Sequence, residues 1–191
     1  ALPISWLPFL PGYLVFFGFF PLFFLEQKIF QQKPAKASGT VFLYAYLAFG
    51  LWIFISFWWA HHATWFGAIA PVVINGFFMA VVFWLFHIAK RKGGYTFGYA
   101  AFIVFWLAFE YIHHRWEMSF PWLTLGNAFG KNIRLIQWYE YTGVLGGSLW
   151  VLLAVVLAFV LIKEFAKNGL LRKKTGYSII LFLWLTSPVV T

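Results

Sequence analysis

Thr40 to Ala60 reads TVFLYAYLAFGLWIFISFWWA, 21 residues without one charged side chain. As a helix rising 1.5 Å per residue, such a run covers about 30 Å, the thickness of a bilayer's hydrocarbon core. Similar runs occupy 12–25, 66–89, 95–112, 143–165 and 177–191. The chain is 63% hydrophobic and 10% charged, whereas a soluble domain carries roughly 25% charged residues. These features define an all-α polytopic membrane protein. It has about six transmembrane or half-spanning helices in a single transmembrane domain over 1–191, with Pro21 interrupting the first segment. The opening ALPISWLPFLP holds three prolines and reads as irregular, because each proline removes a donor and clashes with the preceding turn.

The formal charge of +9 is explained by topology and not by nucleic acid, since basic residues concentrate in cytoplasmic loops. If alternate loops are cytoplasmic, one set holds Lys28, Lys33, Lys36, Lys90, Arg91, Lys92, Lys163, Lys167, Arg172, Lys173 and Lys174. The other holds Arg115, Lys131 and Arg134, and eleven against three orients the chain. The 113–142 loop and the C-terminal end then face outward. So does Ala1, which carries the expectation that a further span precedes it and that the chain is a piece of a longer protein. The sequence contains no Cys, which removes disulfides, thiolate metal sites and Cys nucleophiles. No charged n-region marks a signal peptide.

The outward segment HHRWEMSFPWLTLGNAFGKNIRLIQWYEYT, residues 113–142, mixes charge, aromatics and turn residues. Just before it, Glu110, His113 and His114 stand at i, i+3 and i+4 on one helix face. Two readings are open: Glu110 pairs with Arg115 or a histidine as an interfacial anchor, or it marks a substrate site, as costly intramembrane carboxylates do. A metal site from His61, His62, His113 and His114 is a weaker alternative, because adjacent histidines diverge by about 100° on a helix. His87, toward the cytoplasmic side, reads as a snorkelling side chain. Within the loop, Pro121 breaks the helix, Phe120 and Trp122 suit the interface, and Gly126-Asn127 permits a turn with positive φ. Irregular backbone at membrane depth needs protein or a watery cavity around it, so this stretch is either a cavity-lining loop or a plain outer loop. Gly143, Gly146 and Gly147 read as a close helix contact, with anion binding at that helix start a weaker option.

The run from Glu110 to Leu153 (EYIHHRWEMSFPWLTLGNAFGKNIRLIQWYEYTGVLGGSLWVLL) resembles the membrane region of bacterial apolipoprotein N-acyltransferase. FPWLTLG is its most specific element, while FFGFFPLFFLE (Phe16–Glu26) and GLWIFISFWW (Gly50–Trp59) agree with earlier parts of that family, especially its Bacteroidetes versions. The resemblance implies an inner-membrane enzyme with the outer loop in the periplasm. It would move an acyl chain from a phospholipid to the α-amino group of an apolipoprotein's diacylglyceryl-cysteine. It also implies a separate nitrilase-like domain whose Glu-Lys-Cys triad forms a thioester; this chain has no Cys, and such a domain is expected beyond 191. On this reading no cofactor and no metal are required, and the membrane part positions the two lipid substrates. The expected substrate-binding residues are Glu110, Arg115, Trp116, Pro121, Trp122, Gly126, Asn127, Trp138 and Glu140. Arg115 would meet a phosphate, and Trp116, Trp122 and Trp138 would line a lateral opening. The competing reading is a membrane-only relative, a structural or lipid-binding subunit accompanied by other membrane chains; a third is a metal- or haem-binding subunit.

Overall fold

The structure is a computed structural model and describes residues 14–32, 37–62, 64–116, 121–131 and 133–168. The expected segment 177–191, residues 12–13 and loop residues 117–120 lie outside the described residues. Helices and 3-10 turns make up the regular structure: α1 (Val15–Gly18), α2 (Phe20–Gln32), α3 (Ala37–Phe57), α4 (Trp65–His113) and α5 (Tyr139–Asn168). Four continuous helical stretches are long and apolar enough to cross a membrane: Leu14–Gln32, Ala37–His62, Trp65–His113 and Tyr139–Glu164.

The 49-residue α4 is two helices, because Gly94 adopts φ 79° and ψ −172° inside it. Left-handed φ favours glycine, which has no Cβ to clash. The two limbs run back along each other. The Phe86 and Phe102 rings are 5.4 Å apart and those of Phe78 and Trp116 5.3 Å, while a Cβ at Gly98 would overlap Lys90. KRKGG is therefore not a loop ending a span at 89. The helix continues through Lys90, and only the double glycine reverses it. At its other end α4 starts on Thr64, whose hydroxyl accepts the Gly67 N–H at 2.9 Å, the geometry of an N-cap.

The stretch Leu14–Gln32 is the axis of the bundle. Phe19 meets Phe49 of α3 and Phe102 and Trp106 of the second α4 limb, with centroids 4.9–6.2 Å away. One turn on, Phe23 contacts Phe83, Phe86, Tyr99, Phe102 and Phe159 at 5.1–5.9 Å. Most of these rings meet edge-on or tilted, the arrangement favoured by their quadrupoles and worth about 0.5–1.5 kcal/mol per pair beyond area burial. In lipid, tails are as apolar as the side chains, so packing itself must hold helices together. That is a physical reason for a chain that is 25% aromatic. Where α3 crosses the first α4 limb, a Cβ on Gly76 would stand 3.4 Å from the Gly50 backbone, so the two helices nearly touch.

Polar residues gather at the two opposite ends of this bundle. One end holds Glu110 and the loop that follows it; the other holds Glu26, Gln27, His87, Lys90 and Lys163.

Candidate functional site

The loop after α4 is a plug. Its short 3-10 turns, Pro121–Leu123, Leu125–Phe129 and Ile133–Leu135, insert Leu125 and Phe129 into the Glu110 end of the bundle, both with no exposed surface. The Phe129 ring lies 5.7 Å from Phe16 and 4.9 Å from Trp150. Irregular backbone at membrane depth needs internal partners for its amides, and those of Leu125 and Gly126 are met by side chains of the two flanking helices.

Glu110 supplies the first partner. Its Oε1 accepts hydrogen bonds from the Trp106 indole N–H and the Leu125 backbone N–H, both at 3.0 Å. Glu110 is only 4% exposed as a residue, and the Ser148 hydroxyl stands beside its carboxylate. The described ion pairs converge on Glu26 and not on Glu110; Arg115 instead lies over the Tyr111 ring at 4.3 Å. The interfacial-anchor reading of a Glu110–Arg115 pair is thus replaced by a carboxylate that grips the loop through neutral donors. His113 is buried with Glu110 and stacks on Phe109 at 5.3 Å. His114 reaches the loop itself, its Nε2 lying 2.8 Å from Thr124 Oγ1. Because the Thr124 hydroxyl donates to the Pro121 carbonyl at 2.9 Å, the His114 nitrogen is the donor in that contact.

α5 supplies the second set of partners. The Gly126 N–H donates to Ser148 Oγ at 2.9 Å, and the Tyr139 hydroxyl donates to the Gly126 carbonyl at 3.0 Å. Both backbone groups of one glycine are therefore held by one helix. Gly126 sits inside the Leu125–Phe129 turn, and the positive-φ glycines among the described residues are Gly94 and Gly143. The expected positive-φ turn at Gly126 is not formed. Gly126 is there for proximity, since a Cβ would overlap the Val144 carbonyl oxygen. Gly147 is small for a matching reason: a Cβ there would occupy the space crossed by the Tyr139 hydroxyl. Gly143, at φ 67°, lets the first turn of α5 carry Tyr139 toward the loop.

The remaining sequence candidates divide between surface and support. Trp122 is 61% exposed, and Arg115, Asn127 and Glu140 also face outward. Asn127 Nδ2 folds back to the Pro121 carbonyl at 2.9 Å, which fixes the turn beneath Trp122. Trp138 is half-buried, its indole N–H donating to the Leu135 carbonyl at 2.9 Å and its ring 6.4 Å from Trp150. Trp116 lies 5.3 Å from Phe78 on the first α4 limb. Thr124, Tyr139 and Ser148 escape sequence reasoning. Only Ser148 left a trace, as a hydroxyl inside an apolar run.

Between the C-terminal end of α3 and the start of α4 lies an apolar cleft of about 300 Å³ lined by Phe54, Phe57, Trp58, Trp65, Ile69 and Val72 together with His61. The His61 and His62 rings lie tilted against each other with centroids 4.0 Å apart. Among the described residues no three His, Cys, Asp or Glu side chains are arranged to hold a metal ion.

The family model for the apolipoprotein N-acyltransferase N-terminal domain matches residues 1–157. The curated apolipoprotein N-acyltransferase of Chlorobaculum tepidum is 25% identical over 166 residues, covering 87% of this chain and 31% of that protein. The one from Rickettsia typhi is 30% identical over 179 residues, covering 88% of this chain and 35% of its own length. No solved structure matches. The chain spans about a third of the length of the curated relatives it matches.

Proposed function

The chain belongs to the apolipoprotein N-acyltransferase family, and on that premise we propose that it is the membrane region that positions lipid substrates for N-acylation. The complete protein would take an acyl chain from a membrane phospholipid and pass it to the α-amino group of the diacylglyceryl-cysteine of an apolipoprotein, through a thioester on a nitrilase-like domain. The chain carries no Cys, so the nucleophile is not among these residues and their part is to bind and orient. The protein sits in the bacterial inner membrane with the 113–142 loop in the periplasm. The eleven-to-three distribution of basic residues supports this orientation, as does the placement of Lys90 and Lys163 at the end of the bundle opposite Glu110.

The observation that carries the proposal is the loop clamped from two sides, by Glu110 of α4 and by Ser148 and Tyr139 of α5, beneath an exposed Trp122. A loop that merely connects two spans has no need of buried carboxylate and hydroxyl partners. This one holds an indole, with Arg115 and Asn127 also exposed, at the outer end of the bundle. Trp122 offers a rigid apolar contact for a lipid's glycerol region, and Arg115 the planar donor set that pairs with phosphate. The α3–α4 cleft, aromatic and aliphatic apart from His61, suits an acyl chain. Replacing Trp122 or Arg115 by Ala in the complete protein is expected to lower acylation of a diacylglyceryl peptide at least about tenfold, the equivalent of 1.4 kcal/mol. Unchanged acylation in both variants would sink the assignment of this loop.

A further inference from the structure

At the end of the bundle away from the loop, four ionisable or amide side chains are sealed together. The side chains of Glu26, His87 and Lys90 have no exposed surface, and Gln27 is buried beside them. Glu26 Oε1 meets His87 Nδ1 at 2.8 Å, and its Oε2 accepts from the Lys90 ammonium. Lys90 also donates to Gln27 Oε1 at 3.1 Å, and the same oxygen accepts from Lys163 of α5 at 3.2 Å. Gln27 Nε2 completes the set by donating to the Tyr95 hydroxyl at 2.9 Å. Around the Lys90 ammonium stand the rings of Phe30, Phe86, Tyr95 and Tyr99, with centroids 4.8–5.6 Å away.

We propose that this Glu26–Lys90 network is an ion lock that seats the axial stretch Leu14–Gln32 against the α4 hairpin, and that neither charge is tolerated in the bundle without the other. Lys90, Arg91 and Lys92 are consecutive beside the Gly94 reversal, and Lys90 alone of the three is buried. An ammonium taken out of water loses several kilocalories of hydration, which only a close counter-charge and further acceptors offset. Those acceptors all come from Leu14–Gln32, so Lys90 can be buried only when that stretch is in place. The Gly98 position has the same logic, because a Cβ there would overlap the Lys90 stem. The aromatic cage contributes cation–π attraction and excludes water. Lys163 extends the lock to α5, the helix that holds the outer loop at its other end. The lock is therefore a conformational device that ties three elements at one end of the bundle and so orders the elements that carry the loop at the other.

The proposal is tested in the complete protein purified from membranes; residues 1–191 hold no Cys, so a reporter cysteine placed among them is read by mass spectrometry of its own peptide. Glu26→Leu and Lys90→Met are made separately and together, and thermal unfolding is read in detergent micelles. Glu26→Leu leaves the buried Lys90 ammonium without its carboxylate, and Lys90→Met leaves the Glu26 carboxylate with His87 but without the ammonium; each is expected to lower Tm by at least about 6 °C. The double variant, with neither charge, is expected to recover more than half of that loss. As a second readout, a Leu22→Cys reporter on the buried side of α2 should react with maleimide at least about tenfold faster in each single variant than in the double. Should the double variant fall as far as the sum of the singles, or the singles unfold and label like the parent, the ion lock is overturned. If a single variant cannot be purified while the double can, that asymmetry supports it; failure of both alike counts against it.

Discussion

Replacing Glu110 by Ala tests how the loop is held. The substitution removes the single oxygen that accepts from both Trp106 Nε1 and the Leu125 amide, each at 3.0 Å. Both donors are buried, and an orphaned buried donor costs about 1–3 kcal/mol, so the two together cost roughly 2–6 kcal/mol. At about 2–4 °C per kcal/mol for a chain of this size, Tm should fall by at least about 4 °C. Glu110→Gln is the informative control. Its amide oxygen can keep both donors, its nitrogen replaces Oε2 beside the Ser148 hydroxyl, which can accept as well as donate, and the charge disappears. If the carboxylate works through its neutral donors, Gln should retain most of the stability and Ala should not. The assay is thermal unfolding in micelles alongside hydrogen exchange at the Leu125 and Gly126 amides, which should speed up in Glu110→Ala and stay slow in Glu110→Gln. Equal damage from Gln and Ala would refute the reasoning, because it would mean that charge, and not hydrogen-bond acceptance, is what the loop requires. A harmless Glu110→Ala would refute it from the other side.

Gly126→Ala places a methyl against the Val144 carbonyl and should destabilise by about 1–3 kcal/mol as other overpacked sites do, measured by thermal unfolding, with lost acylation in the complete protein. Tyr139→Phe removes one hydrogen bond, to the Gly126 carbonyl, for about 0.5–1.5 kcal/mol, and should leave the helices' circular dichroism unchanged. Phe23→Ala empties the ring-lined axis and should cost about 3–5 kcal/mol, more than any change in the loop except loss of Glu110. Asn127→Cys should be labelled by a membrane-impermeant maleimide from the periplasmic side and Lys28→Cys should not; the reverse pattern would invert the proposed orientation.

Sequence reading reached the membrane class and the all-α architecture because long apolar runs have few physical alternatives. It singled out Glu110 and the FPWLTLGN stretch because carboxylate, proline and glycine are conspicuous among apolar residues. It left open how these residues are held. Gly126 reads as a turn with positive φ, but the absence of a Cβ also permits close approach, and nothing local distinguishes the two uses. The inner lock was invisible for a stronger reason. Glu26 and His87 are separated by 61 positions and Glu26 and Lys90 by 64. Lys90 stands in a basic triplet that looks like a solvated loop, and His87 looks like a snorkelling side chain. Only the reversal at Gly94, with helix continuing as far as Gly93, turns both inward.

The central claim is that the clamped loop presents Trp122 to a lipid substrate. Its most direct measurement is photocrosslinking from a benzoylphenylalanine placed at Trp122 in the complete protein, with a diacylglyceryl-cysteine peptide as the target. A second probe at Leu47, exposed on α3, reports unspecific contact. Strong crosslinking from position 122, weak crosslinking from 47, and loss of the former in Glu110→Ala is the outcome expected here. Equal crosslinking from both positions, or crosslinking at 122 that survives Glu110→Ala unchanged, would contradict it.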